Sequence, residues 1–381
     1  MDYILEARGV SYRYGRKDGE GYALKDVSIG IRPGVRTVIL GANGAGKSTL
    51  FYHFNGVFKP AEGEVRYRDI PLSYDRNVLY QLRDDISVVV QNPDEQIFSS
   101  TVEEDVAFGP MNRNLRPDIV ERRIVSCLSM VGMEGYRSRP TTQLSFGQKK
   151  RVAIAGALAT DPKVLILDEP TAGLDPQMSQ EVMEMVDQLV NSGTTVIVST
   201  HDVDLAYAWA DEVHVLIHGK LMFSGRPEDF FSDPAKVSLA GLAQPHTFSV
   251  NSAVEDIRGN PENPYPRTNS QILAKMAHPG SPVGMITLNR VTAEEGVDFS
   301  GLRPNSGIYG FRTRRLFKEA GVTTDYMFNA VEMCMLEAVS GRDSTLYADE
   351  EIVDMIIRRI GTLSDFGMDP VLEVRRWTTS S

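Results

Sequence analysis

The sequence has few cysteines, no long apolar run and no apolar segment at its start. Its two cysteines, Cys127 and Cys334, stand in apolar surroundings without CxxC spacing, which predicts two buried, reduced thiols and excludes a disulfide scaffold. No stretch approaches the roughly 18–20 apolar residues that span a bilayer, so a membrane role requires a partner. The first residues, MDYILEARG, do not resemble a signal peptide. We therefore expect a cytosolic protein.

Basic residues are not in excess either. Lysine and arginine number 40 against 51 aspartates and glutamates, which gives a formal net charge of −11. This balance lacks the basic surface of a nucleic-acid-binding protein, so we expect no nucleic-acid partner. The hydrophobic content of 42% and charged content of 24% are ordinary for a soluble globular protein, and 381 residues are enough for two domains.

Apolar runs that end in glycine or acidic residues organise the first 240 residues. Val35–Leu40, Val164–Leu167 and Thr195–Ser199 are predicted as buried strands, and Ser179–Val190 as a helix with one apolar stripe, Val182, Met183, Val186, Leu189 and Val190. Strands that alternate with helices indicate a parallel α/β sheet, whose ligand sites lie beyond the carboxyl ends of the strands. We assign this domain to residues 1–240.

A proline-rich stretch, GNPENPYP at 259–266, separates this domain from the rest of the chain. We predict a linker over 241–268 and a small α/β domain over 269–381. Its predicted strands are Val283–Leu288 and Val371–Arg375, and its predicted helices are Arg312–Glu319, Asp325–Val339 and Asp349–Ile360. His278 has no partner at metal-ligand spacing. No family is recognised in residues 246–381, and a regulatory or dimer-stabilising role is the expectation.

The segment after the first buried strand fits the pattern G-x-x-x-x-G-K-[ST]. Glycines let consecutive backbone N–H groups curl around phosphates, the lysine brings a positive charge, and the serine offers a hydroxyl to Mg²⁺. The pattern predicts a site for MgATP. Its candidate residues are Gly41, Asn43, Gly44, Ala45, Gly46, Lys47, Ser48 and Thr49.

Acidic residues follow the second buried strand and a histidine follows the third. Asp168, at the end of an apolar run, is suited to the Mg²⁺ shell, and Glu169 beside it to orienting or deprotonating the attacking water. His201 would lie at the same edge of the sheet, where an imidazole can contact the γ-phosphate. We therefore predict Lys47, Glu169 and His201 as catalytic residues.

Leu144-Ser-Phe-Gly-Gln148 resembles the LSGGQ signature of ABC ATPases, and it precedes Asp168 and Glu169 as in that family. The resemblance implies a RecA-like parallel sheet core with antiparallel β and helical subdomains. It also implies that two copies close face to face around ATP. The site residues that it adds are Ser145, Gly147, Gln148, Gln91 as a further Mg²⁺ ligand, Asp175, and Tyr14 against adenine with Tyr12 as the alternative.

Phe146 departs from the family pattern, because this position is usually glycine. A positive φ here would be costly for phenylalanine. We expect instead that the position tolerates side chains and that Gly147 makes the close approach to phosphate.

The stretches Gln91–Phe98, Thr101–Pro110 and Gly147–Gly156 resemble the ATPases of energy-coupling-factor transporters, most closely the cobalt/nickel-import type. The resemblance implies integral-membrane scaffold and substrate-binding subunits as partners, with the chain peripheral on the cytoplasmic face of the membrane. It places helices of the scaffold in a groove that includes Phe98. The alternative is that Phe98, Val102, Val106 and Phe108 are core. A non-transport ABC ATPase and a catalytically inactive ABC scaffold remain alternatives for the function.

Overall fold

The computed structural model describes residues 2–15, 21–278, 280–292, 299 and 302–377. The chain divides into two compact units, Met1–Pro245 and His246–Ser381. No helix within the described ranges combines the length and the apolar content that are needed to cross a bilayer.

The first unit contains strands and helices in alternation. Its strands are β1 (Leu5–Tyr12), β2 (Leu24–Ile31), β3 (Thr37–Leu40), β4 (Glu62–Tyr67), β5 (Ile70–Pro71), β6 (Ile86–Val89), β7 (Val164–Asp168), β8 (Thr195–Thr200), β9 (Glu212–Ile217) and β10 (Lys220–Gly225). Its helices are α1 (Lys47–Phe54), α2 (Arg76–Asp85), α3 (Val102–Asn112), α4 (Pro117–Met130), α5 (Phe146–Leu158), α6 (Pro176–Asn191), α7 (Val203–Trp209), α8 (Pro227–Phe231) and α9 (Pro234–Leu239).

A mostly parallel sheet in the order β10-β9-β3-β8-β7-β6 forms the centre of this unit. β3, β7 and β8 are buried at every position, as expected of parallel strands with both faces covered. The strands predicted at Val35–Leu40, Val164–Leu167 and Thr195–Ser199 are confirmed. Because β3, β7 and β8 are parallel, their carboxyl ends meet at one edge of the sheet.

An antiparallel sheet in the order β2-β1-β4-β5 packs into a common core with α1 and the parallel strands. Between β6 and β7 the chain forms α3, α4 and α5, which contact one another. The predicted helix at Ser179–Val190 lies within α6. Val182, Val186 and Leu189 of the predicted stripe are buried, together with Met185, whereas Met183 and Val190 are half-buried. The predicted stripe is therefore confirmed only in part.

The second unit is built on a parallel sheet in the order β12-β13-β11-β14. Its strands are β11 (Ile286–Val291), β12 (Ser306–Tyr309), β13 (Ser344–Asp349) and β14 (Leu372–Trp377). Its helices are α10 (His246–Arg258), α11 (Asn269–Met276), α12 (Phe311–Glu319), α13 (Ala330–Val339) and α14 (Val353–Gly361).

The helix predicted at Asp325–Val339 begins later, at Ala330. Asn329 has a positive φ of 50°, and Tyr326 exchanges backbone hydrogen bonds with Ser306 and Ile308 beside β12, so the preceding residues are extended. The helix predicted at Asp349–Ile360 likewise begins at Val353, after a 3₁₀ turn.

The segment predicted as a linker, 241–268, carries a helix, α10, in its first half. Its proline-rich second half contacts Lys275 of α11. The ammonium of Lys275 donates to the main-chain oxygens of Glu262 at 2.5 Å and Pro264 at 2.8 Å. It also donates to the Asn251 side chain of α10 at 2.8 Å. This stretch is therefore fixed by side-chain hydrogen bonds within the second unit, which the proline pattern alone does not indicate.

Both cysteines are buried, as predicted. Cys127 lies in α4 and Cys334 in α13, and burial raises the pKa of each thiol to about 12. Neither thiol is ionised at neutral pH, which suits a packing role.

His214 in β9 is a buried titratable group of the first unit, with 1% of its surface exposed. Its Nδ1 lies 2.8 Å from the Ser224 hydroxyl on β10. Burial, with a smaller effect of Arg32, lowers its pKa from 6.5 to about 4. The fold therefore favours the neutral ring. His214 therefore contributes to the unfolding free energy above pH 6.5. This contribution is lost as pH falls from 6.5 towards 4, because the unfolded chain then binds a proton that the folded chain does not.

The unfolding free energy falls between pH 7 and pH 4, and we predict that His214→Gln makes this fall smaller by about 3 kcal/mol, since each pKa unit corresponds to about 1.4 kcal/mol. The chain has two tryptophans, Trp209 and Trp377. In a Trp377→Phe background, Trp209 fluorescence therefore reports the first unit during denaturant unfolding. Equal acid losses with and without His214→Gln would show that this histidine does not set the pH dependence.

Candidate functional site

The loop between β3 and α1 has a backbone that requires glycine. A Cβ on Gly41 would lie 2.5 Å from the Leu216 oxygen, and one on Gly46 would lie 2.8 Å from the Ala23 oxygen. Gly46 also has a φ of +104° and Gly44 a φ of +77°. Asn43 is exposed, and Ala45 is buried. The loop is thus held close to neighbouring backbone in a conformation that side chains resist.

Helix α1 begins at the end of this loop with free N–H groups. Among the described residues, no side chain caps its N-terminus and its first turn has no acidic residue. The positive end of the helix dipole and these N–H groups make a site for an anion such as phosphate.

Lys47 lies in the first turn of α1 and points back into the loop. Its ammonium donates to the Gly41 oxygen at 2.7 Å and the Ala42 oxygen at 3.3 Å. It also lies 3.1 Å from Oε1 of Glu169, with 6% and 4% of the two side chains exposed. A buried ammonium therefore has a carboxylate and two carbonyls as partners, as such a charge requires.

Glu169 follows β7 directly and has a φ of +48°, an uncommon value for a residue with a side chain. Its N–H donates to the main-chain oxygen of Ser199 at 3.2 Å. Its carboxylate lies 3.0 Å from Nδ1 of His201, whose ring is about half exposed. The structure thus brings together Lys47, Glu169 and His201. Unusual backbone of this kind clusters at functional sites.

Ser48 and Asp168 contact each other at the same edge of the sheet. The Ser48 hydroxyl donates to Oδ2 of Asp168 at 2.5 Å, and the Ser199 hydroxyl donates to Oδ1. Ser199 was not among the predicted site residues. The one signal for it is a hydroxyl residue inside an otherwise apolar strand.

The Ser48 and Asp168 oxygens fit a magnesium ion, which prefers hydroxyl and carboxylate ligands. Gln91 lies two residues beyond the end of β6, and its side chain is exposed. No hydrogen bond joins that side chain to Ser48 or Asp168 among the described contacts, so the structure brings together two of the three predicted ligands.

Ser145 and Gln148 form a capping box at the start of α5. The Ser145 hydroxyl accepts from the Gln148 N–H at 3.3 Å, and the Gln148 side chain accepts from the Ser145 N–H at 3.0 Å. Phe146 is the first residue of α5 and is not among the described residues with positive φ. The expectation that this position tolerates a side chain is confirmed.

Gly147 and Gly173 let α5 approach the start of α6 and the segment before it closely. A Cβ on Gly147 would lie 2.5 Å from the sulfur of Met178, and one on Gly173 would lie 2.9 Å from the Phe146 ring. Asp175 caps α6 by accepting from the Met178 N–H at 2.8 Å. The start of α5 at 144–148, which we call the signature turn, therefore packs against the residues at 173–175 before α6, which we call the Asp175 turn, within one chain.

Tyr14 and Tyr12 differ in how much of the ring is free. Tyr14 is 48% exposed, and its hydroxyl lies 2.8 Å from the Thr49 hydroxyl in α1. Tyr12 is half-buried, with its ring stacked on Phe58 at 4.9 Å. Tyr14 is thus the ring with a free surface close to the phosphate loop.

Lys150, in the second turn of α5, was also not predicted as part of the site. It is fully buried. Its pKa is lowered to about 8 by burial, which the negative charges of Asp168 and Glu169 partly offset. A lysine in a helix is usually a solvated surface residue, so the sequence pattern alone does not single it out.

Comparisons with known proteins agree on one family. A model of the ABC transporter family matches residues 24–172. The energy-coupling factor transporter ATP-binding protein EcfA2 of Methanospirillum hungatei is 36% identical over 94% of this chain and 93% of its own length.

Two solved structures resemble the chain in fold. The cbiO1 protein of Clostridium perfringens, part of the ABC transporter complex cbiONQ, is 43% identical, with a TM-score of 0.56 over 63% of this chain and 96% of its own. A dimeric ATP-binding cassette in a post-hydrolysis state, bound to ADP and Pi, is 30% identical, with a TM-score of 0.54 over 59% of this chain and 99% of its own.

We predict that Gly46→Ala weakens ATP binding by about 100-fold or more, because the added Cβ meets backbone and displaces the loop. Gly193→Ala is the matched control, since Gly193 has a similar φ of +97° but no atom within 4 Å of the added Cβ. The positive φ should cost each variant roughly 1 kcal/mol of stability. The contact with backbone adds to this cost in Gly46→Ala. Titration with a fluorescent ATP analogue measures the affinity, and equal affinities in the two variants would contradict the prediction.

Proposed function

The chain belongs to the energy-coupling factor transporter ATP-binding proteins, a family of ABC ATPases, and we propose that it couples MgATP hydrolysis to the import of a transition-metal ion such as cobalt. The observation that carries the proposal is that Glu169, directly after β7, contacts both Lys47 at the start of α1 and His201 after β8. The likeness to cbiO1, part of the ABC transporter complex cbiONQ, supports the transport role, and the substrate class rests on the sequence resemblance to the cobalt/nickel-import type. A non-transport ABC ATPase gains no support, since these relatives are transporter proteins.

Hydrolysis requires that the Lys47–Glu169 pair separate. The γ-phosphate competes for the ammonium of Lys47, which leaves the Glu169 carboxylate to orient a water molecule and accept its proton. The water oxygen bonds to the γ-phosphorus as the bond to the bridging β–γ oxygen breaks. His201 lies beside the same carboxylate and can contact the phosphate. Ser48 and Asp168 would hold the magnesium ion, which neutralises phosphate charge when it is bound.

Both halves of a composite site are intact in this chain, so we propose a homodimer. One half is the phosphate loop with Glu169 and His201, and the other is the start of α5 with Ser145 and Gly147. In a two-fold arrangement the positive end of α5 in one copy closes over the ATP of the other. The dimeric cassette described above supports this arrangement.

Phe98 and Phe108 form an exposed apolar contact suited to a membrane subunit. The two rings meet edge to face at 4.6 Å, and 65% of Phe98 and 46% of Phe108 are exposed. Val102 and Val106, in contrast, are fully buried core. Asp105 accepts from the N–H groups of Phe98 and Ser99, each at 3.1 Å, and so fixes the loop that presents Phe98. With this contact, the chain would act on the cytoplasmic face of the membrane.

We predict that Glu169→Gln retains ATP binding and loses at least about 100-fold in turnover, roughly 2.7 kcal/mol in activation free energy, because an amide cannot accept the proton. Light scattering should show a dimer that persists with ATP and dissociates with ADP. The control is Glu212→Gln on β9, which removes the charge of Glu212 from its ion pair with Arg32 and should behave as the natural protein. Turnover within about threefold of the natural protein, under ~0.7 kcal/mol, would refute the role of Glu169.

We predict that Phe98→Asp abolishes co-purification with the detergent-extracted membrane subunits, while soluble ATPase activity and the melting temperature stay close to those of the natural protein. The aspartate places a charge in an apolar contact but leaves the core unchanged, because Phe98 is mostly exposed. Ile70→Asp is the matched control, since Ile70 is 70% exposed on β5. Unfolding of Phe98→Asp, or equal release by Ile70→Asp, would argue against this surface.

A further inference from the structure

Two neighbouring lysines of α5 contact the residues that follow β6, which we call the Gln91 segment (residues 90–94). The Lys149 ammonium lies 2.5 Å from Oδ1 of Asp94. The Lys150 ammonium donates to the main-chain oxygens of Gln91 at 2.7 Å and Val90 at 3.3 Å. The helix that carries the signature turn is thus joined at two points to the segment that carries Gln91.

The Lys150 contact is buried on the lysine side, whereas Val90 is half-buried and Gln91 exposed. Lys150 has no exposed surface, and a buried ammonium is costly unless its N–H groups are paired. Its partner carbonyls lie just past β6, which is the terminal strand of the sheet as described. In the described part of the chain, both oxygens accept from Lys150. The buried ammonium therefore depends on these carbonyls for pairing.

Hydrogen bonds within the Gln91 segment and to its neighbours Val88 and Gln96 make it move as one piece. The side chain of Gln96 accepts from the Val90 N–H at 3.0 Å and donates to the Val88 oxygen at 3.4 Å. The side chain of Asn92 accepts from the Asp94 N–H at 3.2 Å. A displacement at one end of this segment therefore reaches both lysine contacts.

We propose that Lys149 and Lys150 form a strap that makes α5 and the Gln91 segment move together, with Lys150 as a positioning residue that places Ser145 and Gly147 for hydrolysis. This inference rests on the proposed function, because it takes the signature turn and Gln91 as parts of the ATP site. In the described contacts, neither lysine bonds to the phosphate loop. The strap therefore acts on turnover rather than on nucleotide affinity.

The first test is Lys150→Met in the full chain, which keeps the length and apolar stem of the side chain but removes the donors. We expect the Kd for ATP to stay within about threefold and kcat to fall about tenfold. Amide hydrogen exchange of residues 90–99 should accelerate about tenfold, while residues 41–50 are unchanged. Arg123→Met is the control, since Arg123 donates to the Ala159 oxygen at the far end of α5 and should leave exchange of residues 90–99 unchanged.

Unchanged exchange of residues 90–99 in Lys150→Met would overturn the strap. A loss of ATP affinity as large as the loss of kcat would also overturn it, because Lys150 would then act on nucleotide binding. If the natural protein itself shows no ATPase activity, the proposed function fails, whereas the exchange measurement still tests the strap.

The second test does not depend on a buried substitution. Asp94→Lys and Lys149→Asp each place like charges together, and the double variant restores the pair with reversed signs. We expect each single variant to lower kcat and the double variant to recover to within about twofold of the natural protein. A double variant no better than the single variants would overturn the contribution of this pair.

Discussion

The ammonium of Lys47 and the carboxylate of Glu169 lie 3.1 Å apart, with both side chains almost entirely buried. Neither charge is stable there alone, because removal of one partner from a buried pair leaves the other uncompensated. The pair joins the start of α1 to the end of β7, and His201 adds the end of β8. The phosphate loop, the acidic residues and the histidine are thus held in contact with one another. A phosphate that takes Lys47 as its partner changes all three at once.

The helix α5 is positioned by contacts of a different kind. Its start is fixed by the capping box of Ser145 and Gln148, and Gly147 and Gly173 allow it to pack closely against α6 and the turn before it. Lys149 and Lys150 contact the residues after β6. One face of the helix therefore meets the Asp175 turn and another the Gln91 segment. In the homodimer and the transporter complex proposed above, this arrangement would connect the second copy of the chain to the membrane subunit through one helix.

The parts of the site that depend on local chemistry could be predicted from the sequence. The phosphate loop and the capping box are encoded in consecutive residues, and the apolar runs that end at Asp168 and His201 indicate parallel strands. Contacts between distant residues could not be predicted. Nothing near Lys150 indicates that its ammonium meets main-chain oxygens 59 residues earlier. The same holds for Lys275, which fixes a proline-rich stretch that local sequence presents as a linker. The positive φ of Glu169 is likewise set by its tertiary surroundings.

The burial of both cysteines has a practical consequence for measuring motion in this molecule. With thiol pKa values near 12 and little exposed surface, Cys127 and Cys334 are poor nucleophiles towards maleimide or methanethiosulfonate reagents at neutral pH. A cysteine introduced at an exposed position is then the preferred site of reaction. The natural chain can therefore carry pairs of spin labels or fluorophores without prior removal of its own thiols. Distances between α5 and the phosphate loop become accessible in the intact protein during a catalytic cycle.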